Sequence, residues 1–205
     1  MQADSTAMSD LILQEHDLGL TWVHREAMAR ASHALVDGER VWLIDPTDED
    51  EALDRVAALG EPAGVLQLLD RHNRACAQVA RRLQVPHIDL PEVLPQAPFD
   101  PFWVVRRKGW NEVALDWPAR RALIVAEAVG TGPLYKVGPD PVGVHPLLRL
   151  RPPRSIARPA IEHLLMGHGE GVHGPNTAVA LKAALDHSRR DIPRLVVKAP
   201  FRLRG

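Results

Sequence analysis

A single cysteine, Cys76, in 205 residues excludes an intramolecular disulfide and any Cys-rich zinc module. Neither sign of charge is in excess: 25 basic and 26 acidic side chains leave a formal net charge of −1. Recognition of a phosphate backbone needs clustered surplus Lys and Arg, so nucleic acid is not an expected partner. No apolar run approaches the roughly 20 residues of a membrane span. The opening MQADSTAMSD lacks the basic and apolar blocks of a signal peptide, so the expected location is the cytoplasm, with no membrane partner. Nucleotide-cradling runs of the Gly-x-x-x-x-Gly-Lys or Gly-x-Gly-x-x-Gly type are missing, as are repeats at solenoid spacing.

What is present is ordinary globular composition, 45% hydrophobic and 25% charged, which excludes a largely disordered chain. A chain of this length buries about 70% of its accessible area on folding, enough for one full core. The expected organisation is one domain over residues 10–205 behind a flexible N-terminus at 1–9. Eighteen prolines and fourteen glycines suit many short strands and loops, and ten histidines invite a search for metal-ligand spacing.

The pattern predicts strands in LILQEHDLGL, TWVH and SHALV, then a hairpin at Asp37-Gly38 leading into Val41–Ile44, stopped at Asp45-Pro46. A helix follows, with Ala52, Leu53, Val56 and Ala57 on one face and Gly60 as its stop. Gly64–Leu69 reads as a strand buried on both faces, and a second helix turns Cys76, Val79, Ala80 and Leu83 inward. Further strands are expected at His87–Leu90, Phe102–Arg107, Glu112–Leu115, Ala122–Glu127 and His163–Met166. Residues 130–155 read as an irregular loop, Asn176–Arg190 as a helix and Leu195–Lys198 as a last strand. Strands alternating with helices, then an antiparallel run, indicate an α/β class with a mixed sheet or two sheets.

Ionisable residues follow several of these strands, where α/β folds converge side chains on an open edge. They are Asp45 after VWLI, Asp70-Arg71-His72 after VLQLL, Glu127 after ALIVA and His168 after HLLM. Each signal alone is weak, since an Asp at a strand end is usually a turn residue. Their order from about Ser32 to Arg190 resembles the metallo-β-lactamase-fold superfamily. Val41–Pro46 resembles its first motif, and LLDRHNRAC lies where that family has His-x-His-x-Asp-His. GWNEVAL, IVAEAVG and MGHGE are similar to the segments that supply a third histidine, a metal-bridging Asp and a last histidine. The resemblance implies an αββα sandwich of two mixed sheets with helices outside, and hydrolysis at one or two metal ions.

The departures from that pattern set the functional expectation. Of seven ligand positions implied by the resemblance, His72 and His168 keep histidine and Asp70 and Glu127 are other carboxylates. Arg74, Ala75 and Trp110 have lost ligand chemistry, and an arginine cannot ligate. Asp70, His72, Glu127 and His168 are thus the candidate metal ligands, and Asp45, Arg74 and Trp110 the candidate pocket residues. The favoured expectation is a hydrolase-like protein with an incomplete metal site, non-catalytic or altered, whose pocket takes a small ligand or a partner and retains no metal. In it Asp70 and Arg74 form an i,i+4 ion pair, and Trp110 fills the old metal pocket over His72. The alternatives are a single-metal hydrolase of an ester, thioester or phosphoester using zinc or another divalent ion, and an α/β interaction module. Cys76 reads as a small hydrophobe, and Arg149, Arg151, Arg154 and Arg158 as a solvated loop. Trp103, Trp110 and Trp117 are expected as separate core or rim residues, and the spacing of His168 and His173 is a weak metal motif.

Overall fold

The computed structural model describes residues 10–72 and 74–194, which leaves the expected tail at 1–9 and the strand at Leu195–Lys198 outside the described residues. In chain order the first sheet contains β1 (Leu11–His16), β2 (Gly19–His24), β3 (Ala31–Asp37), β4 (Arg40–Ile44), β5 (Glu61–Gln67) and β6 (His87–Asp89). Helices α1 (Asp50–Leu59) and α2 (Cys76–Leu83) form the two crossovers of its parallel part. Then come β7 (Asp100–Arg107), β8 (Trp110–Trp117), β9 (Ala122–Val125), β10 (Val129–Gly130), β11 (Gly143–Val144), β12 (His163–Met166), β13 (Val172–His173) and α3 (Thr177–His187).

The first sheet keeps chain order, antiparallel from β1 to β4 and parallel from β4 to β6. The second runs β13-β12-β9-β8-β7, with β12 parallel to β9, and β10 and β11 make a separate ribbon. Both sheets are mixed, as expected.

Strand periodicity explains the layering. Successive side chains of β4 point to opposite faces. Val41 and Leu43 pack with Val56 of α1 and Val79 of α2, while Trp42 and Ile44 join Leu115, Leu123 and Val125 of the second sheet. The inner cluster also takes in Leu181, Ala184 and Leu185 of α3. The order helices, sheet, sheet, helix is the αββα sandwich. Cys76 is a buried member of the outer cluster, and burial raises its thiol pKa.

Several expectations need correction. The stretch LILQEHDLGL is two strands, because the chain reverses at Asp17-Leu18. At Gly19 (φ 135°) a Cβ would sit 2.1 Å from the Ala34 carbonyl oxygen, so only glycine passes there. Ala57 is exposed on α1. Arg149 is fully buried, not solvated: it donates to the Tyr135 carbonyl at 2.7 Å and faces Asp191 at 3.6 Å. It closes the 130–155 segment against the end of α3, where Ser188 donates to the Arg149 carbonyl. Arg154 and Arg158 pair with Asp186 and Asp116. Trp110 and Trp117 are core residues and Trp103 lies at the rim.

His33 ties the sheets together. On β3 its Nε2 meets the Met166 carbonyl of β12 at 3.2 Å, and its Nδ1 meets Thr21 Oγ1 at 2.8 Å. Complete burial pushes its pKa from 6.5 down to about 3. The fold therefore favours the neutral ring, and its stability contribution is full above pH 6.5 and is lost as pH falls from there towards 3. In urea titrations at stepped pH, His33→Gln should flatten the acid-side slope by up to about 1.4 kcal/mol per pH unit. An unchanged slope would contradict the assignment.

Candidate metal centre

The carboxyl ends of β4, β5, β9 and β12 converge on one cleft between the sheets. Asp45 follows β4 in the left-handed region (φ 45°), a conformation Asp tolerates better than most residues. The bend turns its buried carboxylate back across the sheet. Oδ1 accepts the Leu68 amide at 3.0 Å, fixing the segment after β5, and Oδ2 lies 3.6 Å from His72 Nδ1. Ser32 of β3 holds the same corner, donating to the Asp45 carbonyl and accepting from the Thr47 amide.

The opposite wall is the turn after β12. The Met166 carbonyl is held by His33, the Gly167 carbonyl accepts from Arg74 Nη2 at 2.7 Å, and the Met28 carbonyl meets His168 Nδ1 at 2.8 Å. A Cβ on Gly167 would stand 2.4 Å from the Ala126 carbonyl oxygen, so the turn closes on the end of β9 only with glycine. His168 is buried, and desolvation lowers its pKa to about 4, which keeps the imidazole neutral. With Nδ1–H given to Met28, Nε2 carries the lone pair, and that atom is buried without a hydrogen-bond partner. Both ring nitrogens of His72 are also buried without one, and the two rings lie 5.4 Å apart at 67°. Glu127, just past β9, completes the group: donor atoms of His72, Glu127 and His168 all fall within 4.8 Å of one another.

Glu112 holds the third wall. This fully buried carboxylate accepts the amides of Glu127 and Ala128 at 2.8 and 2.9 Å through Oε1, and Trp110 Nε1 at 3.0 Å through Oε2. Desolvation raises its pKa, while those hydrogen bonds pull the other way. Above it, Arg71 donates twice to Glu127 Oε2, at 2.9 and 2.6 Å, and its guanidinium lies 3.8 Å from the centre of the Trp110 ring. His145 faces Glu127 Oε1 through Nε2 at 3.6 Å. Its Nδ1 accepts the Leu147 amide, and burial lowers its pKa to about 4. Tyr135 stacks on His168 with centroids 5.4 Å apart, and its buried hydroxyl has no partner.

The expected site residues are thus only partly brought together. Asp45, His72, Glu127 and His168 share the cleft. Asp70 stands outside it, because Asn111 binds both its oxygens, through its amide at 3.0 Å and Nδ2 at 2.7 Å. The expected Asp70–Arg74 pair is replaced by the Arg74 bond to Gly167, and Arg74 Nη1 is buried without a partner. Trp110 is buried, but its ring meets His145 edge-on at 4.7 Å and the Arg71 guanidinium. Its indole is spent on Glu112. Glu112, Tyr135 and His145 were not among the candidate site residues, and Arg71 stood there only as part of the Asp70-Arg71-His72 run, with no role. Of the first three, only Glu112 left a signal in the sequence, as a carboxylate inside the apolar run of GWNEVAL.

No sequence-family profile matches the chain, and no curated protein does. Solved structures do. A metallo-β-lactamase from Erythrobacter litoralis superposes with a TM-score of 0.57 at 11% identity, covering 89% of this chain and 93% of that one. The NDM/FIM-1-like metallo-β-lactamase of the same organism, in a mono-zinc form, gives 0.58 at 11% identity over 89% and 98%. A protein crystallised in a di-iron-bound form gives 0.51 at 17% identity over 72% and 91%. Superposition over nearly the whole of each partner, with the two-sheet sandwich in place, shows that this chain has the metallo-β-lactamase fold.

Proposed function

We propose that this protein is a hydrolase-like member of the metallo-β-lactamase fold whose cleft takes one divalent metal instead of two. The supporting observation is the pair of buried, unpartnered imidazole nitrogens of His72 and His168 beside Glu127, donor atoms within 4.8 Å of one another. Buried polar atoms normally find partners, and each orphan has a cost of about 1–3 kcal/mol that a ligand relieves. Both rings turn Nδ1 towards an oxygen, Met28 O for His168 and Asp45 Oδ2 for His72. An acceptor behind one nitrogen orients the other towards a metal. Two imidazoles and a carboxylate leave a position open, as catalytic zinc sites require.

A second ion does not fit. Arg74 brings a permanent positive charge to the Gly167 turn beside His72, where Asp45 offsets it. The guanidinium then stands in for a cation and does not compete for ligands. When bound, one metal supplies a polarised substrate oxygen and a water of lowered pKa, the chemistry for an ester, thioester or phosphoester. Arg71 holds Glu127 Oε2 while Oε1 faces His145 Nε2 at 3.6 Å, and Glu112 fixes the Glu127 and Ala128 backbone. The mono-zinc and di-iron forms of the similar structures support metal occupancy of such a cleft.

A second reading has its own observation. The Arg71–Glu127 contact, 2.6 Å, already uses the carboxylate, and with Arg74 it favours a metal-free pocket for an anionic small molecule. Metal analysis decides between the two. Protein purified without chelator and dialysed against zinc should hold one equivalent in the cleft, lost in both His72→Ala and His168→Ala. Cleft occupancy at background in the folded wild type would reject the metal reading and leave the anion pocket. Arg74→Ala, which removes the opposing charge, should tighten zinc binding at least about tenfold by competition with a chelating dye. Weaker binding in that variant would show that the arginine supports the site instead of opposing it.

A further inference from the structure

A second group of histidines lies away from the cleft. His163 of β12 and His173 of β13 are Cα partners in register across an antiparallel pair. Their Nδ1 atoms lie 2.9 Å apart, and the ring centroids 5.2 Å. His16, at the end of β1, brings its ring to 5.0 Å from that of His173. Its own nitrogens are occupied: Nδ1 accepts the Leu18 amide at 3.3 Å and Nε2 meets Thr21 Oγ1 at 2.9 Å.

We propose that His163 and His173 form a second, surface divalent-metal site in which both Nδ1 atoms bind one ion that clips β13 to β12. The geometry specifies the ion class. At metal–nitrogen distances of about 2.0–2.1 Å, nitrogens 2.9 Å apart subtend about 90° at the metal. That angle belongs to neighbouring corners of square-planar or octahedral coordination, so nickel and copper fit better than tetrahedral zinc. Without the ion, one Nδ1–H must donate to the other Nδ1. Binding moves that proton to the same ring's Nε2, so no proton is lost and both ligands are neutral.

Around His173 the surroundings favour a lone pair over a proton. Partial desolvation of this exposed residue, with His163 adjacent, lowers the pKa of His173, and deeper burial with His173 and His163 adjacent lowers that of His16 to about 4. Asp17 acts in the opposite sense on both rings, a negative charge beside the ion's place. His173 is exposed, which gives an ion a path in. β13 is a two-residue edge strand, so a metal link adds to a short hydrogen-bonded ladder.

The experiment is a nickel titration of the full chain by calorimetry, repeated in His173→Ala, His163→Gln and His168→Ala. The background variant His168→Ala, which lacks a cleft ligand, should still bind one nickel. His173→Ala and His163→Gln should each weaken that one event at least tenfold in the same background. Cupric ion in the His168→Ala background should show two coordinated imidazole nitrogens by electron paramagnetic resonance, falling to one in His173→Ala. Unaltered nickel binding in His173→Ala, or no nickel binding in the His168→Ala background, would overturn the proposal and leave the pair as an N–H···N hydrogen bond. Failure of this site leaves the cleft reading intact, because the two differ in every ligand.

Discussion

The Asp45 carboxylate is the constraint on which the cleft depends. It sits at 2% exposure at the end of β4, and one oxygen fixes the segment after β5 while the other backs His72. A buried carboxylate is costly unless hydrogen-bonded and offset by charge. The Leu68 amide supplies the first, and Arg74, bound to the Gly167 turn, the second. Asp45 backs His72, and Arg74, whose charge it offsets, holds the Gly167 turn that carries His168.

The two walls are braced by different chemistry. On the His168 side the backbone does the work, through carbonyls held by His33 and Arg74 and a glycine that no side chain could replace. On the Glu127 side a second buried carboxylate, Glu112, gathers two amides and an indole N–H. The backbone of the cleft is therefore hydrogen-bonded on both walls, while its imidazole nitrogens are short of partners. That combination is the ground on which the one-ion reading is proposed over the expected metal-free site.

Much of the fold was legible from the residues, because strand alternation in Val41–Ile44 and helical spacing in α1 and α2 are local patterns. Asp45, His72, Glu127 and His168 were legible for a related reason: each follows an apolar strand, and the resemblance placed those strands in order. Asp70 was misassigned since spacing along LLDRH does not reveal that the side chain turns out to Asn111. Arg74 was read as a helical ion-pair partner, yet its acceptor is a carbonyl 93 residues away in sequence. His145 and Tyr135 reach the cleft from the Pro- and Gly-rich stretch at 130–155, where no periodicity exists to reveal a facing side chain. Arg149 shows the same blindness, a buried cation in what reads as a solvated loop.

Whether one ion occupies the cleft is read most directly by anomalous diffraction from crystals grown with zinc, measured on both sides of the zinc absorption edge. A single cleft peak about 2.0–2.2 Å from His72 Nε2, His168 Nε2 and a Glu127 oxygen, with none beside the Arg74 guanidinium, is the predicted result. Two cleft peaks, or none with Glu127 still locked to Arg71, would contradict it.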